Sequence, residues 1–479
     1  MDNRKPLWAH QIKAIERFKD QKSIGLLFEM GAGKSRTIIE ILEYRYSQGH
    51  GILPTLIVCP LSVVENWRRE IQEYSHIEAR FVLPLTRSGK EKCKTLAARP
   101  SDNVIVITNF ESLLSPDLFN HLHAWLRPWP IGFMVIDESQ RVKSPSAKRT
   151  KNVLKLGGLI ENHAILTGTP ILNSPLDIFT QFKFLDGGST FVDFTGKPLN
   201  YYSFRATYMY DKNAGMPKQR YFPNWQIKPG ALEALNEKIY SKAMRVEKKD
   251  CLDLPPFIQQ TMYAELSGEA TRLYKEMKQH FITYLGDKAC VASLVIVKAL
   301  RLLQITNGVL GLEESEEELE CGKISILREL LEDLTPNHKV IVWAVFRMNY
   351  KMIADVCQEL SIPYVYLHGD IDQAGKVVSM DKFQTDDSVR VLIGNPASGG
   401  IGVNLTAASY SIYFSRNFSL ENDLQSEARN FRAGSEIHEK VTRIDLVTKD
   451  TIDELVLSAL ADKQKISDTM LKNWAKGVM

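Results

Sequence analysis

Cysteine is sparse in this chain of 479 residues. There are six, at Cys59, Cys93, Cys251, Cys290, Cys321 and Cys357, and no two stand closer than 31 positions. No Cys-x-x-Cys pair occurs, which speaks against a zinc ribbon. So thin a spread makes no disulfide framework, and a reducing, cytoplasmic setting is expected. Long apolar runs are also missing, none approaching the ~20 residues that span a bilayer. The N-terminal stretch has no apolar core followed by a small-residue cleavage site, so no secretory signal is expected. Net charge is small as well: Lys+Arg 60 against Asp+Glu 57 leaves +3. Bulk charge therefore holds no polyanion, and any basic surface serving nucleic acid has to be local.

What is present is an alternation. Gly25–Glu29, Thr55–Cys59, Asn103–Thr108, Phe133–Asp137 and His163–Thr167 are short apolar runs rich in Val and Ile, separated by helical stretches. Near-continuous apolar runs are how strands read when both faces are covered, as in a parallel sheet. The pattern restarts near Lys323, with Lys339–Val345, Tyr364–Leu367, Arg390–Gly394, Ser411–Phe414 and Thr442–Val447 as strand candidates. The expected fold class is α/β, with two doubly wound parallel-sheet lobes.

Between them lies an aromatic, basic stretch (Tyr201, Tyr202, Phe204, Tyr208, Tyr210, Tyr221, Phe222, Trp225), then helical periodicity, then six glutamates between Glu313 and Glu320. A charge block of that kind reads as an exposed linker. The expected division is a first lobe over 1–185, a mainly helical insertion over 186–312, an acidic linker over 313–322 and a second lobe over 323–479. The aromatic stretch suits packing of an accessory subdomain better than stacking on bases.

Three local patterns carry chemistry. Met30-Gly31-Ala32-Gly33-Lys34-Ser35 follows a strand and precedes a helix. Glycines let backbone N–H groups approach phosphate oxygens. Lys34 would reach the β/γ-phosphates and Ser35 would ligate Mg²⁺. The strict phosphate-loop pattern wants glycine where Phe28 stands. In Phe133–Glu138, an apolar strand delivers two carboxylates at its carboxyl end, where open α/β sheets place ligands. Asp137 would hold Mg²⁺, and Glu138 would orient and deprotonate the attacking water. On a helix expected over Gln425–Arg432, Arg429 and Arg432 stand three apart and share a face. Alone that is an ordinary solvated surface, but two such arginines also suit a transferring phosphoryl group.

Taken in order, these and neighbouring segments resemble the Swi/Snf-type branch of superfamily-two helicases. Leu7–Gln11 is similar to its adenine-reading segment, Phe28–Ser35 to motif I, Cys59–Glu70 to motif Ia and Ile136–Ser144 to motif II. Leu166–Asn173 is similar to motif III, Arg245–Pro255 to a basic-then-Leu-Pro segment, Ser398–Thr406 to motif V and Gln425–Gly434 to motif VI. Motif II usually carries His where Gln140 stands, motif VI often ends in Gln where Ser435 stands, and Trp-Asn-Pro is replaced by Asn417-Phe418-Ser419.

The resemblance implies an ATP-driven double-stranded DNA translocase with Mg²⁺ as cofactor, working on duplex or branched DNA. The alternative is a strand-separating or branch-migrating helicase. It implies two RecA-like lobes with ATP at their interface. Gln11 and Met30–Ser35 would bind nucleotide, and Gln140, Thr167, Gly168, Thr169 and Gln425 would couple hydrolysis to movement. Ser62, Asn66, Thr108, Gly400 and Asn404 would lie near the sugar-phosphate track. Arg141, Lys143, Lys148, Arg149 and Lys151 make a local basic cluster that is equally an ordinary exposed loop. The length leaves no room for a bromo-, chromo- or zinc-finger module, so a monomeric, compact motor of microbial or viral type is expected.

Overall fold

The computed structural model describes the chain apart from residues 1–3, 5, 51–53, 87–88, 99–103, 173, 218–222, 224, 252–253, 281, 286–287, 292–294, 313–314, 401–403 and 473–479. The side chains of 49–50, 62, 281–296, 373, 399–400 and 466–472 also lie outside it.

Two compact units form, one built on the chain up to Leu252, the other on Asp253–Gly399 and Val403–Asp462. In the first, β1 (Ser23–Phe28), β2 (Thr55–Cys59), β3 (Val82–Pro84), β4 (Ile105–Asn109), β5 (Phe133–Asp137), β6 (Asn162–Leu166) and β7 (Ala243–Val246) make one sheet. Their order is β3-β4-β2-β5-β6-β1-β7. Every neighbouring pair in it runs parallel. The expected strands are there because alternate residues must satisfy two cores. Leu56, Val58, Met134 and Ile136 pack into one face, and Ile57, Phe133 and Val135 into the other. Each fully buried aliphatic side chain contributes about 1.5–3 kcal/mol.

The second unit has β8 (Phe257–Ala264), β9 (Lys339–Trp343), β10 (Tyr364–Leu367), β11 (Val391–Gly394), β12 (Ala408–Tyr413) and β13 (Val441–Thr448). They are ordered β8-β13-β12-β9-β11-β10. Its neighbours are also all parallel. The helix Gly322–Leu334 buries Leu327 and Leu331, as the leucine spacing requires.

The middle of the chain differs from expectation. It forms no separate insertion. Phe204 and Tyr208, on the helix Tyr201–Tyr208, pack with Phe179, Phe182 and Phe191 in the first unit's core. β7 then joins that unit's sheet, while β8 begins the other sheet. By compactness the chain divides ahead of the acidic block, between the strands β7 and β8. Glu316–Glu318 instead pairs antiparallel with Val309–Gly311, because Val309, Leu310 and Leu319 have a core to enter. Three apolar anchors outweigh a local run of like charge when the glutamates can face water. Tyr221 and Phe222 lie outside the described residues.

Candidate active site

The first unit gathers its candidate residues at the carboxyl ends of β1, β5 and β6. The chain leaves β1 at Phe28 and turns through Gly31 and Gly33, with φ 85° and 78°. Left-handed backbone of this kind is open to glycine at little cost. The helix Lys34–Arg45 starts directly after it, so its first N–H groups and dipole face the loop, a ready anion site. The helix begins at Lys34, with Gly33 serving as its cap. Lys34 Nζ donates to the carbonyls of Phe28 (3.0 Å) and Glu29 (3.4 Å). Ser35 sits half-buried in the helix's first turn, and Ala32 is fully buried beside it. Phe28 is buried too, so the position where phosphate loops usually carry glycine serves the core.

Gln11 closes one side of the loop. Its Nε2 donates to the Gly33 carbonyl (3.2 Å), and its Oε1 accepts from the Trp8 N–H (2.8 Å). A Cβ on Gly33 would come within 2.3 Å of that Nε2. His10, given no role by its sequence position, bonds the Ala32 carbonyl through Nε2 at 2.9 Å. Burial lowers its pKa against the opposing pull of that carbonyl, so it stands neutral at pH 7.

Asp137 ends β5 and is buried. Its Oδ1 accepts from the Glu138 N–H (3.0 Å) and its Oδ2 from Trp67 Nε1 (2.9 Å). Burial above all, then the Glu138 charge, push its carboxyl up to about 7, with Lys34 opposing. Glu138 has φ 54°, an uncommon conformation for a residue with a side chain, of the sort that collects at functional sites.

From Glu138 a hydrogen-bonded run leads to the segment after β6. Gln140 Nε2 donates to Glu138 Oε2 (2.7 Å), Thr167 Oγ1 donates to Gln140 Oε1 (2.7 Å), and the Thr169 N–H donates to Thr167 Oγ1 (3.0 Å). Gln140 and Thr167 are buried, so each end of the amide matters. Gly168 passes so close to the phosphate loop that a Cβ would lie 3.1 Å from the Met30 nitrogen. Beneath the run, Ser139 Oγ donates to Gln181 Oε1 (2.6 Å), and Gln181 Nε2 reaches the Pro170 carbonyl (2.7 Å). Nothing in the local sequence marks Gln181; its role arises from the helix Asp177–Asp186 packing against the turn Ser139–Val142.

The residues expected on the sugar-phosphate track are less uniform. Ser62 lies in the turn Leu61–Val63, with its side chain outside the described residues. Asn66, half-buried on the helix Val64–Tyr74, donates to Glu70 Oε1 (2.7 Å). Thr108 does not reach a surface: it is 0% exposed inside β4, because β4 is flanked by strands on both sides and covered on both faces. Gly400 ends the turn Pro396–Gly400. Asn404 is exposed, its Oδ1 accepting from the Thr406 N–H (3.2 Å). In the basic cluster, Arg141 and Arg149 flank Glu111 at 3.8 and 3.7 Å, Lys143 pairs with Asp177, and Lys148 and Lys151 are exposed.

In the second unit the helix Leu420–Glu427 carries buried Gln425, which reaches Glu421 Oε1 (3.3 Å). It stops at Glu427, so Arg429 and Arg432 lie on the following turn and not on a helical face. The reason is a contact made by the fold: the Arg429 carbonyl accepts from the Leu405 N–H (2.9 Å), outside any helical ladder, and Gly434 at φ 101° ends the turn. Behind the helix, Arg443 of β13 holds Asp423 (2.8 Å), Glu427 (2.6 Å) and Asp445 (3.1 Å). Arg416 joins the same Asp445, and both guanidinium groups lie over the Tyr413 ring. Burial pushes the Tyr413 phenol up, and its hydroxyl bonds Ser426 Oγ (2.8 Å).

Comparison with known proteins matches a family to each part of the chain. The family model of the SNF2-related domain matches residues 10–317, and that of the helicase conserved C-terminal domain matches residues 322–434. The chain belongs to the SNF2-related family. It is similar to chromodomain-helicase-DNA-binding protein 1-like of Danio rerio, at 24% identity over 95% of this chain and 42% of that protein. The chain thus spans less than half of that relative's length. Protein p41 of Acyrthosiphon pisum secondary endosymbiont phage 1 is 25% identical over 97% of each chain. The Sulfolobus solfataricus SWI2/SNF2 ATPase core solved in complex with dsDNA is 24% identical, covering 99% of this chain and 94% of that one, with a TM-score of 0.44. The SNF2-related and helicase C-terminal domains thus lie on a chain of two parallel-sheet α/β units. Among the described residues no helix is long and apolar enough to cross a membrane.

Proposed function

We propose that this SNF2-related chain hydrolyses ATP with Mg²⁺ and uses the energy to move along double-stranded DNA, remodelling DNA or protein–DNA structures. The observation that carries the reading is the run Glu138–Gln140–Thr167–Thr169 beside the Lys34 loop. It ties the proposed hydrolytic carboxylate to the segment that would report it. The donor set fits the nucleotide and its ion: a helix N-terminus and an ammonium suit phosphates, and a hydroxyl and a carboxylate oxygen suit Mg²⁺. Mg²⁺, when bound, would neutralise charge on the phosphates.

On this reading Lys34 and the loop N–H groups hold the phosphates, and Gln11 reads the base. Ser35 and Asp137 hold the ion, and Glu138 orients the attacking water and takes its proton. Arg429 and Arg432 stabilise charge on the transferring group. Gln140 does the work that histidine does elsewhere in the family, since an amide donates at one end and accepts at the other. The candidate residues divide over two units, proposed as the two helicase lobes. The Danio rerio relative, named a helicase-DNA-binding protein, supports DNA as the partner.

The test is the ATPase rate of the full chain with duplex, single-stranded and forked DNA and with RNA. Duplex DNA is expected to stimulate most, and a rate indifferent to every nucleic acid overturns the reading. Lys34→Ala should lose nucleotide binding and turnover, and Arg432→Ala should lose turnover while still binding nucleotide. Displacement of a triplex-forming strand marks translocation, whereas separation of a forked substrate marks a strand-separating helicase.

A further inference from the structure

We infer that Trp67 is a positioning residue for Asp137, and that through it the helix Val64–Tyr74 is tied to the candidate ion-binding carboxylate. The inference rests on the ATPase reading above and extends it to a residue outside the nucleotide loop.

Val64, Trp67 and Ile71 form the buried face of this helix and pack against the sheet. Trp67 is 1% exposed, and so large a ring, closed in on all sides, cannot turn without moving its helix. Its one polar atom, the indole N–H, has a single donor role and spends it on Asp137 Oδ2 at 2.9 Å. The other carboxylate oxygen takes the Glu138 N–H at 3.0 Å. Two donors on opposite oxygens set the plane of the carboxylate. One comes from the residue that follows Asp137 in the chain; the other belongs to a separate helix.

The outward side of the same helix carries Asn66, one residue before Trp67 and about 100° round the axis. The turn Leu61–Val63, with Ser62, leads directly into it. These are the residues expected to meet phosphates. A helix moves as a rigid piece, so a displacement at its outer side reaches its inner side undiminished. Phosphate engagement at Ser62 or Asn66 therefore shifts the N–H that orients Asp137.

Trp67→Phe keeps an aromatic ring in the core and removes only the N–H with part of the ring. Binding of a fluorescent ADP to the full chain is measured against Mg²⁺, with no DNA present. The half-saturating Mg²⁺ should rise by about tenfold, the usual cost of losing a hydrogen bond that orients a metal-holding ligand. ADP binding without Mg²⁺ should stay unchanged. Duplex affinity should also hold, while duplex stimulation of the ATPase falls at least several-fold. A Mg²⁺ requirement within twofold of wild type overturns the positioning role. A raised requirement with full duplex stimulation overturns the tie to the helix. If Trp67→Phe does not fold, 3-benzothienylalanine at position 67, which matches the ring and replaces N–H by sulfur, is judged by the same criteria. If the wild-type chain shows no duplex stimulation, the proposed function fails on its own, and the DNA-free Mg²⁺ measurement still decides the role of Trp67.

Discussion

At the scale of single residues, the candidate site is tied together by hydrogen bonds among buried polar groups. Asp137 is the sharpest case. Its carboxyl is pushed up to about 7, chiefly by burial and then by Glu138, so in the proposed role of ion ligand Asp137 would have a proton competing with Mg²⁺ for the same oxygens. The sign follows: lowering the pH favours the protonated form and raises the Mg²⁺ requirement, and raising it above 7 removes the competition. The half-saturating Mg²⁺ for nucleotide binding should climb by up to about tenfold per unit as pH falls from 7 to 6 and level off above 8. A requirement flat from pH 8 to 6 contradicts this. The same scale shows what sequence can disclose. Lys34, Asp137 and Glu138 announce themselves through neighbours on the chain, because loop glycines and a strand end are local facts. Trp67, His10 and Gln181 do not. Their partners lie 70, 22 and 42 positions away, and only the fold brings them together.

At the scale of elements, the helix Leu420–Glu427 is anchored by a buried ionic group. Arg443 reaches Asp423 in the helix's middle and Glu427 at its end, and the arginine side chain is 4% exposed. Replacing it by Met leaves buried carboxylates short of a partner, which costs about 3–5 kcal/mol. Urea unfolding of the full chain should show that loss in the transition of the second unit, and a change below about 1 kcal/mol would contradict it. Element reading from sequence did well where both faces are buried and poorly at edges. The ten expected strands all appear within a few residues. β3, β7 and β8 went unread, since they lie at or next to sheet edges, are short or half-exposed, and lack a continuous apolar run. The helix expected through Arg432 ended early for a similar reason: the Leu405 N–H that captures the Arg429 carbonyl is not a neighbour in sequence.

At the scale of the whole molecule, a formal charge of +3 understates the capacity to meet a polyanion. Arg141, Lys143, Lys148, Arg149 and Lys151 cluster at one turn and the start of one helix, with Glu111 and Asp177 beside them. Five phosphate contacts would give a log-affinity against log-salt slope of about −4.5 on duplex DNA, and a slope flatter than about −2 would mean this cluster is not engaged. The division of the chain was the part least legible in sequence. An acidic run looks like a linker by composition, yet Glu316–Glu318 is a strand, and the compact units divide well before it, where composition carries no comparable mark.

One feature of the first sheet bears on how the protein is made. The Glu29 N–H donates to the Val246 carbonyl, and the Glu29 carboxylate accepts from the Lys248 N–H. The entrance to the nucleotide loop is thus fastened by residues synthesised more than 200 positions later. At about 5–20 residues per second a ribosome needs roughly 10–45 seconds to supply them. Until then β1 is an apolar strand with one neighbour missing, and the nascent chain has to be kept from pairing elsewhere before the loop that follows β1 can be fastened.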